Sequence, residues 1–165
     1  MSGLLRNLLT LLAALPRRGS CKPYDSVASS YRVTPLDVGV AVLKSDRYLQ
    51  IAEAAQLDFL LKTGLMAGLL KQRVAFVNLA QQVRFGASVR LFDKVRVDTR
   101  VIHADSKCAY FSHAFSVGGQ ARAEVLVKMK FKHGRLTVPP QQVLGPFSGG
   151  KPERLQRWDE GLETA

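Results

Sequence analysis

Residues 46–64 read DRYLQIAEAAQLDFLLKTG, and this stretch decides the fold. Apolar side chains at Tyr48, Leu49, Ile51, Ala52, Ala54, Ala55, Leu57, Phe59, Leu60 and Leu61 fall on nearly every side of a helix. A helix that is apolar almost all round is one surrounded by protein. Ser45 or Asp46 is placed to cap its start, and Gly64 supplies a stop. A shorter helical turn, Leu65 to Gln72, is expected next.

Downstream the period changes from helical to two. Ala121, Ala123, Val125, Val127, Met129 and Phe131 alternate with Arg122, Glu124, Leu126, Lys128, Lys130 and Lys132. Such alternation predicts a strand with one buried and one wet face. Val95, Val97, Thr99 and Val101 alternate in the same way with Lys94, Arg96, Asp98 and Arg100. Lys107 to Val117 reads as a third strand, and Gly118-Gly119 is a two-residue hairpin signal. Arg73 to Phe85 is an earlier strand. Upstream of the helix, Tyr31 to Val38 is expected as a first strand, pushed toward an edge by Pro35. One strand, a buried helix and four antiparallel strands make an α+β domain in which a single sheet wraps a central helix.

The rest of the 165 residues bounds what the domain does. Hydrophobic residues at 47% and charged residues at 22% exclude disorder over most of the length. Lys and Arg total 24 against 13 Asp and Glu, a formal charge of +11, which favours an anionic partner. Cys21 and Cys108 lie in no Cys/His cluster, so neither a disulfide scaffold nor a zinc site is expected, and no metal or cofactor is indicated. The expected compartment is the cytoplasm. Leu4 to Leu15 is too short to span a bilayer, which takes roughly 20 apolar residues. Pro16-Arg17-Arg18 stands where a signal peptide would carry small residues. Residues 1–28 therefore read as an amphipathic helix and linker. The helix either caps the domain or a partner subunit, or lies through residues 1–18 on an anionic membrane surface. The domain is expected over 29–140, with a tail over 141–165 ending in a loose helix, Glu153 to Leu162.

Arg32-Val33-Thr34-Pro35-Leu36-Asp37 before the helix, Arg47-Tyr48-Leu49 opening it, and Leu91-Phe92-Asp93-Lys94-Val95-Arg96-Val97 leading into a strand resemble the hotdog-fold thioesterases, in the group typified by 4-hydroxybenzoyl-CoA thioesterase. The resemblance covers about residues 29 to 138. It implies a hotdog fold, a homodimer or tetramer, and hydrolysis of an acyl-CoA thioester between two protomers. It also implies an acid in the loop before the helix and backbone N–H groups at the helix N-terminus for the thioester carbonyl. The family acid is commonly the second Asp of an Asp-x-Asp stretch. Here that stretch runs Asp37-Val38-Gly39, and Val42-Leu43-Lys44-Ser45 replaces the usual histidine and asparagines.

Asp37 is then the nearest loop carboxylate, or alternatively a turn cap. Glu53 is the second candidate acid, because another hotdog branch carries its acid on the central helix. Asp58, one turn on, is a weaker one. Ser45, Asp46, Arg47 and Tyr48 supply the oxyanion amides. Tyr48, Leu57, Phe76 and Phe111 are expected to line an aliphatic acyl pocket, with Asn78 orienting a carbonyl or water. Arg96, Arg100, Lys128 and Lys130 are expected to meet CoA phosphates, or simply to solvate the sheet. His113 reads as a buried, hydrogen-bonded residue, while His103 and His133 read as solvated. Phe111, Phe115 and Phe131 fall on the inward register, so no stacking surface for nucleic acid is expected. Three readings stay open: an acyl-CoA thioesterase, a non-catalytic acyl-CoA or acyl-carrier-protein binding module, and a basic peripheral membrane protein.

Overall fold

In the computed structural model, residues 7–10, 12 and 19–163 are described. Most of the N-terminal stretch expected to touch a membrane lies outside them; of its apolar residues, Leu8, Leu9 and Leu12 are exposed. No helix among the described residues is long and apolar enough to cross a bilayer.

The elements run β1 (Val27–Arg32), α1 (Ser45–Lys62), α2 (Leu65–Lys71), β2 (Ala75–Phe85), β3 (Lys94–Ala104), β4 (Ala109–Val117), β5 (Gln120–His133), β6 (Leu136–Val138), α3 (Pro140–Leu144) and α4 (Glu153–Glu163). One antiparallel sheet of six strands has the order β1-β3-β4-β5-β2, with β6 also paired to β5. Its inner face carries Val95, Val97, Phe111, Phe115, Val125, Val127, Met129 and Phe131 onto Tyr48, Ile51, Ala52, Ala55 and Phe59 of α1. Phe59 meets Phe111 edge-on at 5.5 Å. The sheet therefore wraps a buried central helix, as the patterning of residues 46–64 requires.

Three expectations change. The first strand ends at Arg32 rather than reaching Val38. Pro35 has no N–H for a ladder, and the Asp37 N–H bonds the Thr34 carbonyl at 2.9 Å, so the chain turns there. Second, α1 is not capped by Ser45 or Asp46. Its N-cap is Lys44, in extended conformation, and no side-chain oxygen bonds the first-turn amides. Third, the tail is not loose. Leu155 of α4 is fully buried against Cys108, Tyr110 and Leu126, on the face of the sheet opposite α1. Gly118 and Gly119 both adopt left-handed φ, 57° and 80°, the geometry of the expected β4–β5 hairpin.

Candidate active site

The site is built where the N-terminus of α1 meets the connection after β2. An extra residue, Arg122, bulges β5 between its pairings with Phe115 and Ser116. The Arg122 carbonyl accepts hydrogen bonds from the Gly86 and Ala87 N–H groups, at 2.8 and 3.0 Å. That fixes how the chain leaves β2. A Cβ on Gly86 would stand 3.2 Å from that oxygen, so glycine suits the approach. The redirected segment then runs beside the β1–α1 loop, where Leu43 N–H donates to Val89 O at 2.8 Å.

Between them lies a cavity of about 280 Å³ lined by Val42, Leu43, Ser45, Tyr48 and residues 85–89. Tyr48 is its floor, 4% exposed. The ring packs edge-on to Phe85 at 5.1 Å and against Phe115 at 5.4 Å. Burial raises the Tyr48 phenol above its usual value, opposed by the Val89 backbone and the Arg122 charge. The ring therefore stays neutral at physiological pH. With no side chain on its first amides, α1 presents its positive dipole end beside this cavity. Such an end suits a polarised carbonyl.

The candidate acids are not gathered at the cavity. Asp37 is fully buried, and its carboxylate accepts the Thr34 N–H at 3.0 Å and the Thr34 hydroxyl at 2.6 Å. The turn-cap role expected as its alternative is therefore the one its geometry displays. Asp58 is buried between the Ser29 hydroxyl and the Lys62 ammonium, the latter at 2.6 Å, and ties α1 to β1. Glu53 is exposed on α1. It lies eight residues from Ser45, about 12 Å along the helix axis, too far to serve the amides of its own α1. Five residues from Asp58, it also sits about 140° round the helix, on the flank away from β1.

Other candidate positions separate as well. Phe111 is fully buried in the core against Phe59, so it cannot line an open pocket. Leu57 is half-buried on α1, Phe76 half-buried at the far end of β2, and Asn78 exposed on β2. Seven residues separate Asn78 from Phe85, about 23 Å of strand. Arg96, Arg100, Lys128 and Lys130 alternate with inward residues and so occupy the outer face, away from α1. Two of them are paired: Arg96 binds Asp98 through two nitrogens, and Lys128 binds Asp159 of α4 at 2.9 Å. Burial alone would raise the Asp159 carboxyl, but Lys151, Tyr110 and Lys128 outweigh it and hold it at about 2. His113 is fully buried, with Nδ1 2.9 Å from the Thr99 hydroxyl, as expected. His103 is not solvated; it is 7% exposed and packs on Tyr110 and Phe147. The residues sequence reasoning missed are Phe85 and the 86–89 segment, whose proximity to Tyr48 depends on the β5 bulge. No group of three or more metal-binding side chains is gathered among the described residues.

The sequence profile of the thioesterase-like superfamily matches residues 33–146, a span holding the helix, the cavity and all the strands but β1. The chain belongs to that superfamily. Protein THEM6 of Drosophila melanogaster is 25% identical over 136 residues, covering 79% of this chain and 69% of that protein. Among solved structures, the probable thioesterase YbaW of Escherichia coli superposes with a TM-score of 0.67 at 16% identity, over 72% of this chain and 96% of its own. The BH1999 gentisyl-coenzyme A thioesterase gives 0.63 at 18%, over 73% and 100%. Slr0204 of Synechocystis, a 1,4-dihydroxy-2-naphthoyl-CoA thioesterase, gives 0.60 at 16%, over 73% and 96%. The fold of this superfamily member is the hotdog fold.

Proposed function

We propose that the protein hydrolyses the thioester of an acyl-CoA, or of the same acyl group on a carrier protein, with an apolar acyl group in the Tyr48 cavity. The observation that carries this reading is the uncapped start of α1 beside that cavity. The Arg47 N–H is already bonded to the Lys44 carbonyl at 3.0 Å, so the amides of Ser45 and Asp46 receive the thioester oxygen as it gains negative charge. The acid is Glu53 of a second copy, docked so that its α1 flank meets the first copy's cavity. Its carboxylate takes a proton from water while the water oxygen bonds to the carbonyl carbon. The tetrahedral intermediate then breaks its C–S bond, and the CoA thiolate leaves with a proton returned by the acid. Val42, Leu43 and Val89 suit an aliphatic chain. Two solved relatives are named for aromatic CoA thioesters, and Tyr48 and Phe85 would accept a ring.

A second reading, a binding module without turnover, is favoured by one observation: among the described residues, no carboxylate lines the cavity. Thiol release from aliphatic and aromatic acyl-CoAs separates the two. Turnover is expected, falling at least about 100-fold in Glu53→Gln, the range of a lost general base. Asp37→Asn should retain kcat in whatever fraction stays folded. Saturable acyl-CoA binding with no thiol release would establish the binding module instead.

A further inference from the structure

The β1–α1 loop and the β2–β3 connection form a second feature at the same end of the molecule, adjoining the cavity at Val42. The Gly39 N–H bonds the Val42 carbonyl at 3.0 Å, which puts Val40 at the tip of a tight turn. Val42 bridges to Arg90, and the Leu91 N–H bonds the Ala41 carbonyl at 3.1 Å. The Phe92 N–H bonds the Val33 carbonyl at 3.1 Å, beside the turn that carries Leu36. Four large apolar side chains are thus carried on neighbouring turns and open to solvent. Leu36 is 68% exposed, Val40 103%, Val42 45% and Phe92 61%.

Phe92 shows that this exposure is imposed on the chain. Its φ is 67°, in the left-handed region that bulky residues avoid; Arg73 is the other described non-glycine residue at positive φ. The turn is held on both sides. The Asp93 carboxylate accepts the Arg90 N–H at 2.7 Å, and the Arg32 guanidinium donates to the Phe92 carbonyl at 3.2 Å. Around the apolar tips stand Arg32, Lys44, Arg90 and Lys94, all exposed. The acids in the same segments are engaged locally: Asp37 with Thr34, Asp93 with the Arg90 amide, and Asp46 with Arg47 at 3.5 Å.

We propose that this end of the molecule docks on an anionic lipid bilayer. Leu36, Val40, Val42 and Phe92 enter the boundary between headgroups and acyl chains, while the four cations meet lipid phosphates. The charge of the chain, +11, has the sign such a surface attracts. The apolar groups are carried on three turns rather than lining a groove, which suits a fluid surface better than a folded partner. Val42 also lines the cavity, so docking brings the cavity mouth to the bilayer. That last consequence rests on the acyl-thioester reading; the docking itself does not.

Gly19 and Cys21 bond the Leu61 and Lys62 carbonyls at the C-terminal end of α1, whereas the tips lie beside its N-terminal end. The test is co-sedimentation of the full chain with vesicles of phosphatidylcholine alone or mixed with phosphatidylserine. Binding to the mixed vesicles is expected, weakening with salt. Val40→Glu and Phe92→Glu should each lower it about tenfold, the loss expected when one inserted apolar side chain becomes charged. Phe92→Gly should lower it comparably with Tm no lower than the parent's, because glycine adopts the left-handed φ freely. Thiol release without vesicles should be unchanged in all three, which keeps this test separate from the hydrolysis reading. Unaltered vesicle binding in these variants would overturn the proposal, and loss confined to Leu8→Glu/Leu12→Glu would transfer the contact to the N-terminal stretch. Absence of binding to any vesicle would overturn it too, including the case where Val40→Glu abolishes self-association instead.

Discussion

His113 illustrates how a single buried side chain sets a property of the whole fold. It sits on β4 among core aromatics, 14° from parallel to Phe111, with its Nδ1 on the Thr99 hydroxyl. Burial lowers its pKa from 6.5 to about 3. The folded state therefore keeps it neutral while the unfolded chain binds a proton below about 6.5. Its contribution to stability is complete above that pH and is lost as pH falls toward 3. The loss should approach 1.4 kcal/mol per pH unit, the limit for one proton (about 1.4). Urea titrations at pH 6.5, 5.5 and 4.5 measure it, and His113→Gln should flatten the slope over that interval. Burial lowers His103 in the same sense, so part of the slope will remain in the variant. Asp159, held at about 2, adds its loss mainly below its unfolded value of 3.8, while Glu124, lowered from 4.5, begins to add at the acid end of the interval.

At the scale of elements, α1 was legible because its apolar residues face nearly every direction, and only a central position buries most of them. β5 was legible on its inner face, where Val125, Val127, Met129 and Phe131 are buried as their alternation predicts. The outer face broke the rule at Leu126, buried at 6% exposure under α4. Period-two patterning cannot see such a cover, because the covering helix lies about thirty residues further along the chain. Leu155 is the apolar anchor of that helix, backed by the Asp159 carboxylate on Tyr110, Lys128 and Lys151. Leu155→Ala should cost about 2–4 kcal/mol. Hydrogen exchange should show α4 amides opening well before those of β4 and β5. If α4 stays protected in the variant, the polar cluster holds the helix without its anchor.

Among the described residues the sheet of the whole molecule ends on two edge strands, β1 and β2, and only β2 exposes large apolar side chains. β2 is the last strand in the order, and Val77 and Leu79 on it are 46% and 47% exposed. An unpaired apolar edge invites a second strand. The proposed chemistry needs a second copy too, because Glu53 cannot reach the amides of its own helix. Sedimentation should give a dimer. Val77→Lys with Leu79→Lys should yield monomers that keep the fold by circular dichroism and lose thiol release together with the dimer. A variant that dissociates yet retains full turnover would remove Glu53 of the partner from the mechanism.

From the sequence alone came the α+β class, the buried helix, the strand sequence and the family, because each rests on periodicity or on neighbouring residues. Only the tertiary structure brings together the residues of the candidate site. Asp37 and Glu53 read alike as carboxylates near an apolar helix, yet one is folded into its own turn with Thr34 and the other stands free on a helix flank. The Tyr48 cavity depends on Phe85 to Val89 arriving at the helix N-terminus, which the Arg122 bulge arranges from the neighbouring strand, β5. Periodicity reports which face of an element is buried. Which residues from distant segments share that burial is set by register, bulges and turns, and those are properties of the folded chain.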